Sequence, residues 1–409
     1  MPILLKEDYE YPLPEMYRIE QHFLAETVDV EHTLEEELKK PEITNKIKPG
    51  MRVAIAVGSR GIDHLFFVVE KVVRRLKELG AEPFIVSAMG SHGGGTMEGQ
   101  KEVLSGYGIT PERLHVPVIT SVDVVTIGNL KNGQPVFFDR AAAAADLIIP
   151  INRIKLHTDF VGALQSGLCK MLVIGLGNHR GCMRMHEEEP AVFAARLEEA
   201  AALILEKAKV GFGVALMENA YDQTCHVEAV ASEKLIAREK ELVRRCKKLM
   251  PYINIKQADI IVVEEIGKDI SGAGYDPNIL GRSCVLKQFV LPIPAFQKMV
   301  LLDVTEASHG NAIGLGQFEV ITKKVFEKMD YEKTYANALA CKCVEDARIP
   351  LMAEDEEQAV RIALKACRNL YYDKLKIIRI KNTLKLQYIE VSEALLEEVE
   401  KNSDLRVAS

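Results

Sequence analysis

Met51-Arg52-Val53-Ala54-Ile55-Ala56-Val57-Gly58-Ser59-Arg60-Gly61 is an apolar run that stops abruptly at glycine. Such a run, bounded by a turn signal, reads as a strand buried on both faces. Across residues 63–79, Leu65, Val68, Val69, Val72, Leu76 and Leu79 recur at helical spacing, and Gly80 ends the segment. Residues 83–88 are apolar again. Strand, helix and strand in that order make a βαβ unit with a parallel sheet.

The alternation continues outward from this unit. Toward the N-terminus, residues 1–50 are polar, with Pro12, Pro14 and Pro41, and read as an irregular arm plus a helix over 28–40. Beyond the second strand, Thr110-Pro111-Glu112 signals a helix start, 122–127 and 135–138 read as strands around Lys131-Asn132-Gly133, and 146–151 is a further apolar strand. A helix over 190–207, a strand over 210–217 and a helix over 233–250 closed by Pro251 finish the first part. The second part opens with a strand over 259–265, continues with one over 299–304 and a helix over 354–368, and ends with strands over 375–380 and 384–390. The expectation is two α/β domains with largely parallel sheets, residues 1–250 and 251–409, and an active-site cleft between them.

Composition narrows the function. With 48% apolar and 27% charged residues the chain reads as an ordinary globular protein, and a net charge of -7 gives no general attraction for nucleic acid or anionic membrane. The first residues lack a basic segment followed by an apolar core, and no run of about 18 apolar residues occurs, so neither a signal peptide nor a membrane span is expected. Eight cysteines scattered without C-x-x-C spacing fit a reduced, cytoplasmic setting, and Cys341-Lys342-Cys343 reads as incidental.

Reactive side chains gather just after strands. Ser59 and Arg60 follow the first, and Gly90-Ser91-His92-Gly93-Gly94-Gly95-Thr96 follows the second and precedes a helix to Leu104. Glycines such as Gly93 let a ligand approach backbone N–H groups, and a helix start behind them favours an anion. The strand over 146–151 delivers Asn152, Arg153, Lys155 and His157, with Lys170 and His186 downstream. Gly267-Lys268-Asp269-Ile270 follows the first strand of the second part. Arginine and lysine clamp carboxylates, while imidazole carries protons near neutrality and binds nickel, copper or zinc. No H-E-x-x-H or G-x-S-x-G is present, which removes support from zinc and serine hydrolases.

These residues, in this order, resemble the nickel-dependent lactate racemase superfamily of 2-hydroxy acid racemases and epimerases. The resemblance runs from about Met51 to Arg282 and rests on Ser59-Arg60, Gly90-Ser91-His92, His157 with Lys170 and His186, and Gly267-Lys268-Asp269-Ile270. It implies a small-molecule 2-hydroxy acid substrate, partner enzymes that synthesise the cofactor, and a nickel pincer nucleotide (nickel pyridinium-3,5-bisthiocarboxylic acid mononucleotide). By resemblance Lys170 tethers that cofactor, His186 ligates nickel with His179 as competitor, and Ser59 and Gly93 contact the cofactor. Likewise His92 and His157 are acid and base, and Arg60 and Lys268 bind the substrate carboxylate. Arg153 and Lys155 are the cationic neighbours expected to activate Lys170, and Arg153, Lys155, Arg180 and Arg184 read as cations for a second carboxylate or for the cofactor phosphate, or as a solvated face, the commoner fate of such charges. The chain departs from the family where Gly58 and Ser59 replace an acidic residue and a threonine, and where the Gly-Phe-Ser-Gly-Gly run of lactate racemases is missing. The rival readings are a nickel-free nucleotide- or phosphate-binding oxidoreductase and a non-catalytic binding protein on the same scaffold.

Overall fold

The computed structural model describes residues 3–59 and 61–408. The chain forms two compact α/β units: Leu24–Met250, and the chain up to Phe23 together with the chain from Pro251 onward. The break at Pro251 is where the sequence places a boundary, but the N-terminal arm belongs to the second unit. That arm is not irregular: it contains strand β1 (Met16–Gln21), whose partners come from the far end of the chain.

The Leu24–Met250 unit contains β2 (Arg52–Val57), β3 (Glu82–Ser87), β4 (Val118–Ile119), β5 (Val124–Asn129), β6 (Pro135–Asp139), β7 (Leu147–Arg153), β8 (Phe212–Glu218) and β9 (Thr224–Ala231). Six of these form one sheet in the order β4-β3-β2-β7-β8-β9, and β5 with β6 forms a separate hairpin. Every neighbour pair of the sheet is parallel except β8 with β9. On one face the helix Leu65–Glu78 buries Leu65, Val68, Val69, Val72, Val73 and Leu76 against Val53, Ile55 and Val57. Each such side chain contributes about 1.5–3 kcal/mol relative to exposure, so a charge at Val69 would undo this face. The helix Leu235–Leu249 packs on β8 and on the turn Leu168–Lys170.

The second unit contains β10 (Ile260–Ile266), β11 (Lys298–Val304), β12 (Val320–Thr322), β13 (Leu351–Ala353), β14 (Ile377–Ile380), β15 (Tyr388–Ser392) and β16 (Leu405–Val407). With β1 they form an eight-stranded sheet in the order β13-β12-β11-β10-β14-β15-β1-β16. From β13 to β14 it is parallel, and from β14 to β16 antiparallel. Among the described residues no helix is long and apolar enough to cross a membrane.

Candidate active site

In the Leu24–Met250 unit, β2 and β7 lie side by side with their carboxyl ends together. The chain leaves β2 toward β3 and β4 on one side and leaves β7 toward β8 on the other. That reversal makes a topological switch point, where open α/β sheets bind ligands. The loops after β2, β3 and β7 carry Ser59, His92 and His157. Arg60, assigned to the substrate carboxylate by resemblance, lies outside the described residues.

The loop after β3 has positive φ at Gly90, Gly93, Gly94 and Gly95. A Cβ at Gly90 would sit 3.1 Å from the Ile174 carbonyl oxygen and 3.4 Å from Cys182 Cβ, so glycine lets this loop lie directly on the Lys170-to-His186 segment. A Cβ at Gly93 would sit only 2.6 Å from the Gly99 carbonyl carbon and the Gln100 nitrogen, which gives this position a structural reason to be glycine. Thr96 caps the following helix by accepting from the Gly99 N–H (3.1 Å). His92 Nδ1 is hydrogen-bonded to Ser59 Oγ, and the Tyr107 hydroxyl donates to the Ser59 carbonyl (2.9 Å).

After β7, Lys155 and Ser166 exchange backbone hydrogen bonds of 3.0 and 3.1 Å and close a loop around His157. The His157 N–H donates to Gln165 Oε1 (2.7 Å), and the Asp159 N–H donates to His157 Nδ1 (3.0 Å), so the neutral ring holds its proton at Nε2. This buried ring stacks on Phe160 at 4.2 Å, Phe160 meets Phe193 at 4.5 Å, and Phe193 meets His186 at 5.4 Å. Two phenylalanines thus connect the two histidines.

Lys170 ends the turn Leu168–Lys170. A π-type turn follows, with the Leu176 N–H donating to the Met171 carbonyl (2.8 Å), and then the helix Asn178–Met185 leads to His186. Such bulges recur where a helix carries function. Cys182 is the meeting point. Burial opposes ionisation of its thiol, but hydrogen bonding with His186, the charge of His186, a hydrogen bond with Ser91 and the charge of Lys170 bring it down to about 7. The charges of His186 and Lys170 thus both favour the thiolate of this buried cysteine. His179 is exposed and its Nδ1 is hydrogen-bonded to Ser91 Oγ (3.1 Å).

Behind Lys170 lies Glu239, fully buried, which burial pushes up to about 7. Its Oε2 accepts from the Cys169 N–H (2.9 Å) and its Oε1 has no partner. A Cβ at Gly167 would fall 2.4 Å from that Oε1, so glycine at 167 admits the carboxyl.

Other expected cations are engaged elsewhere. Arg153 is ion-paired with Glu218, Arg184 with Glu187, and the Arg180 guanidinium lies 4.3 Å from the Phe137 ring centroid. Lys268 belongs to the other unit, where its Nζ donates to the Gly272 carbonyl (2.5 Å) and Asn337 Oδ1 (2.7 Å). Sequence reading missed Cys182 and Glu239. Glu239 had a signal, since it interrupts the apolar stripe Leu235, Leu242, Val243 and Cys246 on the buried face of its helix. Cys182 had none, because its partners converge only in three dimensions.

The class is that of a largely parallel α/β sheet whose switch-point loops carry Ser59, His92 and His157. Residues 7–195 match the family model of the lactate racemase N-terminal domain, and that part of the chain is similar to this family. The fold is shared with the lactate racemase apoprotein of Thermoanaerobacterium thermosaccharolyticum: 13% identity, 90% of this chain and 94% of that one covered, TM-score 0.56. A protein of Thermotoga maritima is 14% identical over 67% of this chain and 70% of its own, with a TM-score of 0.46, too slight a likeness to carry an argument. No curated protein sequence matches the chain.

Proposed function

We propose that this chain is a racemase or epimerase of a 2-hydroxy acid that works with a lysine-tethered nickel pincer nucleotide. The observation that carries the reading is that the loop bearing His92 lies directly on the Lys170-to-His186 segment, with Gly90 against Ile174 and Cys182, Ser91 bonded to His179 and His92 bonded to Ser59. The donor set suits such a group: an amine for the covalent link and an imidazole as the one nickel ligand that the protein must supply. Ser59 and Gly93 are its proposed further contacts, and Arg60 and Lys268 the proposed partners of the substrate carboxylate. When bound, the group supplies a hydride acceptor, which spares the α-carbon a carbanion next to a carboxylate.

The chain's own part is proton traffic and orientation. One histidine takes the hydroxyl proton as the C=O forms, and the other donates a proton to the keto oxygen as the hydroxy acid of opposite hand re-forms. Asp159 orients the ring of His157 and Ser59 that of His92, each through Nδ1. Mirror-image substrates exchange the two roles. The test is to produce the protein alongside the cofactor-synthesis enzymes. Bound nickel, an added mass on the Lys170 peptide and interconversion of a D/L pair of 2-hydroxy acids are expected. An unmodified Lys170 and no interconversion across a panel of 2-hydroxy acids would sink the reading.

A further inference from the structure

Outside the candidate active site, the second unit brings together two thiols and a carboxylate that are far apart in sequence. Cys284 Sγ, Cys343 Sγ and a carboxylate oxygen of Asp346 all lie within 4.8 Å of one another. Cys284 sits in the irregular segment after the helix Pro277–Leu280, where the Val285 and Leu286 N–H groups both donate to Ser283 Oγ (3.1 and 3.0 Å). Cys343 immediately precedes the single turn Val344–Ala347, and Asp346 lies on it. Residues three apart on a 3-10 turn are eclipsed, which sets Cys343 and Asp346 on one side. The Asp346 N–H donates to the Cys343 carbonyl (3.1 Å) and closes the turn.

Cys343 and Asp346 are buried. A buried cysteine alone is an ordinary small hydrophobe. A buried carboxylate against two thiols is not ordinary, because its desolvation costs several kcal/mol unless a cation or hydrogen bonds compensate. Gln317 Nε2 donates to Asp346 Oδ1 (2.7 Å) and orients the carboxylate, the part an outer-shell amide plays toward a metal ligand.

We propose that Cys284, Cys343 and Asp346 bind a zinc ion, with a water completing the tetrahedron. In a tetrahedral site with Zn–S near 2.3 Å the sulfurs stand about 3.8 Å apart, so these atoms need only close in slightly. Thiolates select zinc over magnesium or calcium. Coordination displaces the thiol protons of the ligating cysteines into solvent and pins the Cys284 segment to the turn after helix Tyr331–Ala340, which makes the site structural. The inference is independent of the racemase reading, since it uses none of the residues at the switch point.

The test uses full-length protein purified under reducing conditions without chelator. One zinc per chain is expected, retained in His186→Ala and lost in Cys284→Ser and Cys343→Ser. Cobalt(II) added to chelator-stripped wild-type protein should give a thiolate-to-cobalt charge-transfer band and the visible bands of a tetrahedral ion, both missing from Cys284→Ser and Cys343→Ser. A lack of that band in the wild type, its persistence in both serine variants, or a Cys284–Cys343 disulfide in protein that takes up no metal would overturn the proposal. The cobalt reading on wild-type protein decides the matter even if a variant fails to fold.

Discussion

Two buried acids border the segment that carries Lys170, and they are perturbed in opposite directions. Cys182 starts from an ordinary value of 9.0 and is held at about 7, whereas Glu239 starts from 4.5 and is raised to about 7. Burial acts on both in the same sense, against the anion, so the difference lies in neighbours. Cys182 has His186, Ser91 and Lys170; Glu239 has backbone N–H groups and the Cys169 side chain, with Oε1 unpartnered. Neighbouring charges thus favour the anion at Cys182, whereas burial keeps its hold on the Glu239 carboxyl.

The variant that probes this contrast most severely is Lys170→Ala. Loss of all interconversion is expected, together with loss of the added mass and of most of the bound nickel, read by intact-protein mass spectrometry and metal analysis. Full nickel retention in this variant would mean that the tether lies elsewhere. Next in size, His92→Ala and His157→Ala should each lower kcat by about 10²–10⁴-fold while nickel content is unchanged. Loss of metal in either would assign that histidine to the nickel and remove it from proton transfer.

How much of this was readable from the chain depended on distance. The run at β2, the helix Leu65–Glu78 and the helix Pro190–Lys207 announce themselves through local periodicity that tertiary structure does not override. β1 does not: Met16-Tyr17-Arg18-Ile19-Glu20-Gln21 has one fully buried apolar residue, and its partners lie at the other end of the sequence. β9 is interrupted by His226 and Glu228, which pair with each other, while β12 and β13 have three residues each. The candidate site divides in the same way. His92, His157, Lys170 and His186 stand out because imidazole and amine follow glycines and strand ends. The Ser59–His92 bond, the surroundings of Cys182 and the Cys284–Cys343–Asp346 cluster are contacts between segments, and no local pattern encodes them.

The neutral carboxyl behind the lysine makes a stability prediction with a definite sign. Glu239 binds its proton more tightly in the folded state than in the unfolded chain, where its value is 4.5. Its contribution is therefore complete below pH 4.5 and is lost as pH rises to about 7, a change of about 3 kcal/mol for this group alone. Glu239→Gln is neutral throughout, so its stability relative to the wild type should climb by about that amount between pH 4.5 and 8. Urea unfolding midpoints across this range measure it. A difference that stays flat with pH would show that the carboxyl is already ionised and paired, and the contrast with Cys182 would fall.

The smallest expected effect is the most specific. Ser59 touches the proposed chemistry only through His92, and a hydrogen bond of this kind is worth about 0.5–1.5 kcal/mol net, so Ser59→Ala should lower kcat by about 2–10-fold with KM held. If the serine acts by holding the ring, removing it from the His92→Ala background should cost nothing more, since the two substitutions delete one interaction. If it instead contacts the cofactor, as the family resemblance implies, the losses should multiply in the double variant and nickel retention should fall with them. The pair of kinetic measurements separates a positioning residue from a cofactor contact, a choice open here because serine stands where the family has threonine.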